Sequence, residues 1–169
     1  MDEYEGFWKV TEDALDYALD TLGIDDPDLR ERLIALYEEL PAYREVPGVL
    51  GQLKDRGVKT AILSNGTERM LGSAIRSAGI GELLDDLISV DELRIYKPHP
   101  AVYQLAVDKL ALSPDRNCFM SSNAWDAQGG ANFGFNVVWV NRFGQAPERL
   151  PGEIMAELTS LEGLPDLLS

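Results

Sequence analysis

Apolar positions near the start of the chain recur at the period of a helix. Val10, Ala14, Leu15, Ala18 and Leu22 share one face, and Gly23 stands where such a helix would stop. Asp26-Pro27 then offers an N-cap followed by a proline at the first helical position. Leu29, Leu33, Leu36 and Leu40 make a second apolar stripe, closed by Pro41. Two amphipathic helices joined by a short turn predict a hairpin whose stripes must be buried against something else.

From Val46 onward the pattern changes. A short helix over 47–56 ends at Gly57, and Val58 to Leu63 reads as a strand. The next helix carries Met70, Leu71, Ala74, Ile75 and Ala78 on one face and stops at Gly79. A strand over 86–90 precedes a helix over 99–112, marked by Val102, Leu105, Ala106 and Leu110. Asn117 to Met120 forms a third strand, 124–133 a short helix, and Asn136 to Val140 a fourth strand. Strands alternating with helices at this spacing predict an α/β fold with a parallel sheet covered on both faces. The chain shows no internal repeat and no low-complexity segment.

Composition acts mainly by exclusion. The chain has 169 residues, the size of one domain, with 29 Asp plus Glu against 15 Lys plus Arg and a formal charge of −14. That balance speaks against nucleic acid as a partner, since a duplex binder needs a cationic face to displace counterions. It equally disfavours adhesion to an anionic membrane surface. Hydrophobic residues at 45% and charged ones at 26% suit a folded domain rather than a disordered acidic chain. No apolar run approaches the roughly 20 residues of a membrane span. The opening MDEYEGFWKV places acids where a signal peptide needs basic and then apolar residues. Cys118 is the only cysteine, which leaves neither an internal disulfide nor a cysteine-based zinc site. The expectation is an acidic, soluble, cytoplasmic protein with one main core.

In parallel sheets chemistry gathers at the carboxyl edge, where strands run into loops. Ser64-Asn65-Gly66-Thr67 follows the first strand, Lys97 lies beyond the second, and Ser121-Ser122-Asn123-Ala124-Trp125-Asp126 follows the third. Three loops would thus deliver hydroxyls, amides, an ammonium and a carboxylate to one edge. Each piece also has a plainer reading. Thr67 serves as an N-cap, or the turn is an anion cradle at a helix N-terminus. Lys97 is a solvated loop lysine, or one held in place by the flanking prolines of Tyr96-Lys97-Pro98-His99-Pro100. Asp126 is an acid facing a helix dipole, and Trp125 a core residue. His99 reads as a loop or helix-start histidine, and Cys118 as a buried small hydrophobe.

Taken together, three segments resemble the haloacid dehalogenase (HAD) superfamily, and specifically its L-2-haloacid dehalogenase branch. They are Ala61 to Gly66, Ser89-Val90-Asp91-Glu92 leading into Tyr96-Lys97-Pro98-His99-Pro100, and SSNAWD over Ser121 to Asp126. The likeness runs from Tyr4-Glu5-Gly6-Phe7-Trp8 to the final Leu-rich segment. It implies a Rossmann-like, three-layer α/β/α HAD core lacking its first strand over 44–169, with a partial helical cap over 1–43. It implies hydrolytic dehalogenation of (S)-2-haloacids to (R)-2-hydroxyacids through an aspartyl ester, without metal or other cofactor. By the same resemblance, Lys97 neutralises the nucleophilic carboxylate, and Tyr103 is a further polar member of the site. Ser121, Asn123 and Asp126 position Lys97 and the hydrolytic water. Ser64 and Asn65 hold the substrate carboxylate, with Asn65 also near the departing halide. Trp125 is part of an apolar wall, with Phe7 or Trp8 as contributors from the cap.

The resemblance also exposes a gap. The family's nucleophile ends a first strand in a pattern like Asp-x-Tyr-Gly-Thr, and the 169 residues contain no such segment. Asp2-Glu3-Tyr4-Glu5-Gly6 is superficially similar, but no apolar strand precedes it and its glycine comes one place late. The expectation is an N-terminally truncated dehalogenase that is poor or inactive alone. Unpaired strand edges would favour association, as a homo-oligomer or with another chain. Two alternatives stay open. One is a phosphatase-like HAD hydrolase, disfavoured because Asp126 is the only acid in its loop and Mg²⁺ wants several hard oxygens. The other is a non-catalytic remnant that pairs with another chain.

Overall fold

The computed structural model describes residues 4–168. The chain runs through α1 (Phe7–Leu22), α2 (Pro27–Ala35), α3 (Val46–Asp55), β1 (Ala61–Ser64), α4 (Glu68–Ala78), β2 (Asp86–Ser89), α5 (Pro100–Leu110), β3 (Cys118–Ser121), α6 (Ala124–Phe133), β4 (Asn136–Val140), β5 (Ala156–Leu158) and α7 (Leu164–Leu167). The backbone forms two compact units, one of Met1–Tyr43 with Thr60–Arg94 and one of Arg44–Lys59 with Ile95–Ser169. Asp2 and Glu3, from the segment compared with the nucleophile pattern, lie outside the described residues. No helix among the described residues is long and apolar enough to cross a membrane.

In the first unit α1 and α2 make the expected hairpin. The Asp26 side chain caps α2 by accepting the Leu29 N–H at 2.9 Å, and Pro27 opens the helix. The leucine stripe does not run its expected length. After Ala35 the chain tightens into a 3₁₀ turn over Leu36–Glu38, which rotates later side chains off the α-helical face. Leu29 and Leu33 are half-buried, whereas Leu36 is 56% and Leu40 46% exposed. Further along, β1 and β2 pair in parallel with Ser64 beside Ser89, and α4 forms the crossover between them. The first strand starts later than its composition suggests. Val58 N–H turns back to Leu53 O to close α3, and Thr60 N–H is taken by the Asp85 carboxylate at 2.8 Å, so the ladder opens only at Ala61.

The second unit is built on β3, β4 and β5, all parallel in that order. Val137, Val138, Trp139 and Val140 of β4 are all buried, as expected of a strand covered on both faces. Val49 and Leu53 of α3 and Leu164 of α7 pack with Val138 to form its core. An ion pair from Arg142 to Glu45 (2.6 Å), with both side chains mostly buried, ties the end of β4 to the start of α3. β5 and α7 escaped the sequence reading: β5 is three residues with Glu157 at its centre, and α7 is a single turn containing Pro165.

The α/β class and parallel pairing follow the predicted alternation, but the strands form two sheets of two and three strands rather than one. Among the described ladders, β1 is bonded only to β2 and β3 only to β4. Each sheet therefore presents one backbone edge on its first strand.

Candidate active site

The second unit brings Lys97, Tyr103 and Asp126 together. Ala124–Phe133 starts a helix straight after β3, and this places Asp126 in the first turn, where it is only 4% exposed. Pro100 begins α5, and Tyr103 on its first turn is fully buried. Lys97, three residues ahead of that helix, donates from Nζ to Asp126 Oδ2 at 3.0 Å. The Tyr103 hydroxyl donates to Asp126 Oδ1, also at 3.0 Å. One carboxylate therefore holds an ammonium on one oxygen and a phenol on the other. Lys97 and Asp126 side chains are just 8% and 6% exposed, so the plain reading of Lys97 as a solvated loop lysine fails.

Burial dominates the electrostatics. Desolvation pushes the Lys97 ammonium below its ordinary range, and the Asp126 charge and hydrogen bond oppose that push. The Tyr103 phenol is driven up, first by burial and then by the adjacent Asp126 charge, so it stays a proton donor. The ion pair with Asp126 offsets part of what burial costs the Lys97 ammonium.

Close approach by the backbone makes this possible. A Cβ at Gly129 would lie 2.5 Å from the Tyr103 hydroxyl oxygen and 2.9 Å from Cβ of Pro98. Only a residue without a side chain lets α6 lie this near both the phenol and the residue after Lys97. The sequence reading missed Gly129, and it missed Phe119 on β3, which it took only as a strand residue. The Lys97 Nζ sits 4.9 Å from the centroid of the Phe119 ring. The signal available in the sequence was Phe119's place two residues before Ser121, on the same strand.

The remaining candidates fall in two places. Ser121 ends β3 and its Oγ accepts the Asn123 N–H at 3.2 Å, shaping the turn into α6. Asn123 stands at the N-cap of α6 with an exposed side chain that makes no cap bond, while its carbonyl accepts the Asp126 and Ala127 N–H groups. Trp125 is half-buried and, with Pro98, Tyr103, Leu150 and Pro151, lines an open, largely apolar cavity of about 360 Å³. His99 is a helix-start histidine whose Nδ1 accepts the Ala101 N–H at 3.2 Å. Ser64 and Asn65 belong to the first unit. There Ser64 Oγ accepts the Gly66 N–H at 3.0 Å, the Ser89 hydroxyl donates to Gly66 O at 2.8 Å, and Thr67 caps α4. Trp8, suggested for the cap, lies under the Arg69 guanidinium at 4.8 Å in that same unit.

The sequence model of haloacid dehalogenase-like hydrolases matches residues 2–134. The chain is 48% identical over 169 residues to (S)-2-haloacid dehalogenase 1 of Pseudomonas sp. strain CBS-3, covering 99% of this chain and 74% of that protein. A crystal structure of a dehalogenase superposes with a TM-score of 0.94 at 42% identity, over 97% of this chain and 73% of that one. L-2-haloacid dehalogenase from Xanthobacter autotrophicus, with chloropropionic acid covalently bound, superposes with a TM-score of 0.89 at 33% identity, over 98% of this chain and 76% of that one. The chain belongs to the haloacid dehalogenase-like hydrolases, in the branch of its (S)-2-haloacid dehalogenase relatives.

Proposed function

We propose that these residues carry the cation-bearing part of a hydrolytic (S)-2-haloacid dehalogenase. The observation that supports this best is the buried Lys97–Asp126 pair, with Tyr103 on the second carboxylate oxygen. A carboxylate nucleophile needs a neighbouring cation that is fixed in place and does not wander into water. In the proposed reaction an aspartate oxygen attacks C2 of the 2-haloacid, the carbon–halogen bond breaks, and halide leaves with the electron pair. C2 is inverted. Water then attacks the ester carbonyl carbon, which regenerates the carboxylate, returns a proton to solvent and releases the (R)-2-hydroxyacid. Lys97 balances the attacking carboxylate, Ser121, Asn123 and Asp126 position Lys97 and the water, and Tyr103 holds the second oxygen of Asp126. Ser64 and Asn65 receive the substrate carboxylate, and Trp125 supplies apolar wall.

Under this reading residues 1–43 are part of a helical cap and 44–169 are HAD core, acting in the cytoplasm on a small 2-haloalkanoic acid. The nucleophilic aspartate comes from polypeptide outside these 169 residues, in which no aspartate follows an apolar strand in the required pattern. The open edges of β1 and β3 favour association with such a segment or with another chain. A phosphatase reading is weaker, because the only carboxylate of the Ser121–Asp126 loop has both oxygens engaged and an ammonium beside it.

The test joins the chain to an amino-terminal segment of a relative, supplying an apolar strand and Asp-x-Tyr-Gly-Thr. Chloride release from (S)- but not (R)-2-chloropropionate, abolished by Lys97→Met, is the expected result. Mg²⁺-dependent phosphate release from p-nitrophenyl phosphate, without chloride release, would overturn the reading.

A further inference from the structure

We propose that Phe119 is a positioning residue for Lys97, its ring face seating the ammonium that Asp126 holds by hydrogen bond. The Nζ lies over the ring at 4.9 Å from its centroid, within the range where a cation is attracted to the π face. The ring is itself fixed. It meets Tyr103 edge to face at 5.9 Å between centroids and Phe135 at 5.8 Å. On the α6 side the backbone comes so near that a Cβ at Gly130 would stand 2.7 Å from the ring. Phe119 therefore touches both residues that converge on Asp126.

The chemistry explains why a ring suits this place. An ammonium stripped of water needs compensation beyond a single carboxylate. A second acid would supply it, but would leave the cluster net negative and repel an attacking carboxylate. A π face stabilises the cation while leaving its charge uncancelled. Asp126 from α6 faces Lys97 directly, and Tyr103 from α5 faces it through that carboxylate. This inference rests on reading Lys97 as the cation that serves the nucleophile, but its test reads the amine directly and requires no turnover.

The 169-residue chain is labelled with [ε-¹³C]lysine, and the Lys97 signal is identified by its loss in Lys97→Met. In the parent chain, the Lys97 ε-protons are expected upfield of the other lysines through the ring current, with cross-relaxation to the Phe119 ring. Phe119→Leu keeps the apolar bulk and removes the quadrupole. It is expected to lower the Lys97 titration midpoint by about 0.5–1.5 pH units. Phe119→Tyr keeps the ring and is expected to stay within about 0.3 units of the parent. An unchanged midpoint in folded Phe119→Leu, or an equal drop in Phe119→Tyr, would overturn the proposal. Should Phe119→Leu not fold, the parent decides alone: no ring-current shift and no cross-relaxation would also overturn it.

Discussion

Lys97 and Asp126, 29 residues apart in sequence, meet in a 3.0 Å hydrogen-bonded ion pair that is nearly closed to solvent. Buried pairs gain little over apolar packing, but breaking one strands a charge. That asymmetry makes the pair costly to dismantle from one side only, and cheap to replace as a whole.

Asp126→Asn should therefore destabilise the chain by about 3–5 kcal/mol, since it leaves the Lys97 ammonium buried without its carboxylate. Lys97→Met in the same chain should recover a large part of that loss. Urea unfolding of the parent, both single variants and the double variant gives the coupling. Additive costs would show that the two side chains do not depend on each other.

Gly129→Ala places a methyl group 2.5 Å from the Tyr103 hydroxyl oxygen. Either the phenol leaves Asp126 or α6 shifts, and the expected cost is about 1–3 kcal/mol. The cost should shrink when Tyr103→Phe removes the hydroxyl first. Equal costs in both backgrounds, from thermal or urea unfolding, would place the strain elsewhere, for instance at Pro98.

Burial pushes the Cys118 thiol up from 9.0 to about 11. That shift makes the thiolate about a hundredfold scarcer at pH 8 in the folded chain, so iodoacetamide should label it about a hundredfold more slowly than after denaturation. The shift also sets a stability trend. Between pH 9 and about 11 the unfolded thiol has lost its proton while the folded one keeps it, so stability falls as pH rises through this window. Cys118→Ala should lack that part of the fall in pH-dependent unfolding. Native labelling as fast as denatured labelling would contradict the half-buried position.

How much of this was legible beforehand depends on the residue. Asp26-Pro27 and the β4 valines announce their elements because capping and a short β-branched apolar run are local. The Lys97, Tyr103 and Asp126 constellation was named from the resemblance of their segments, but their mutual contact depends on how α5 and α6 pack. Leu36 and Leu40 misled, since the helix gives way to a 3₁₀ turn at Leu36, several residues before the proline at 41 that signals its end. Phe119 and Gly129 were missed for a different reason. A strand phenylalanine or a helix glycine looks ordinary until a neighbour's ammonium or hydroxyl is placed beside it. The division into two sheets was not foreseen either, because alternation predicts parallel strands without saying which of them pair.

On the proposed function, this polypeptide supplies the lysine and its supports, and another segment supplies the attacking aspartate. Chloride release from (S)-2-chloropropionate tests it most directly, measured on the 169-residue chain alone and on the same chain joined to a relative's strand and Asp-x-Tyr-Gly-Thr segment. No release above the uncatalysed background is expected from the chain alone, and steady turnover from the joined protein. Steady turnover by the 169 residues on their own, lost on Lys97→Met, would contradict it.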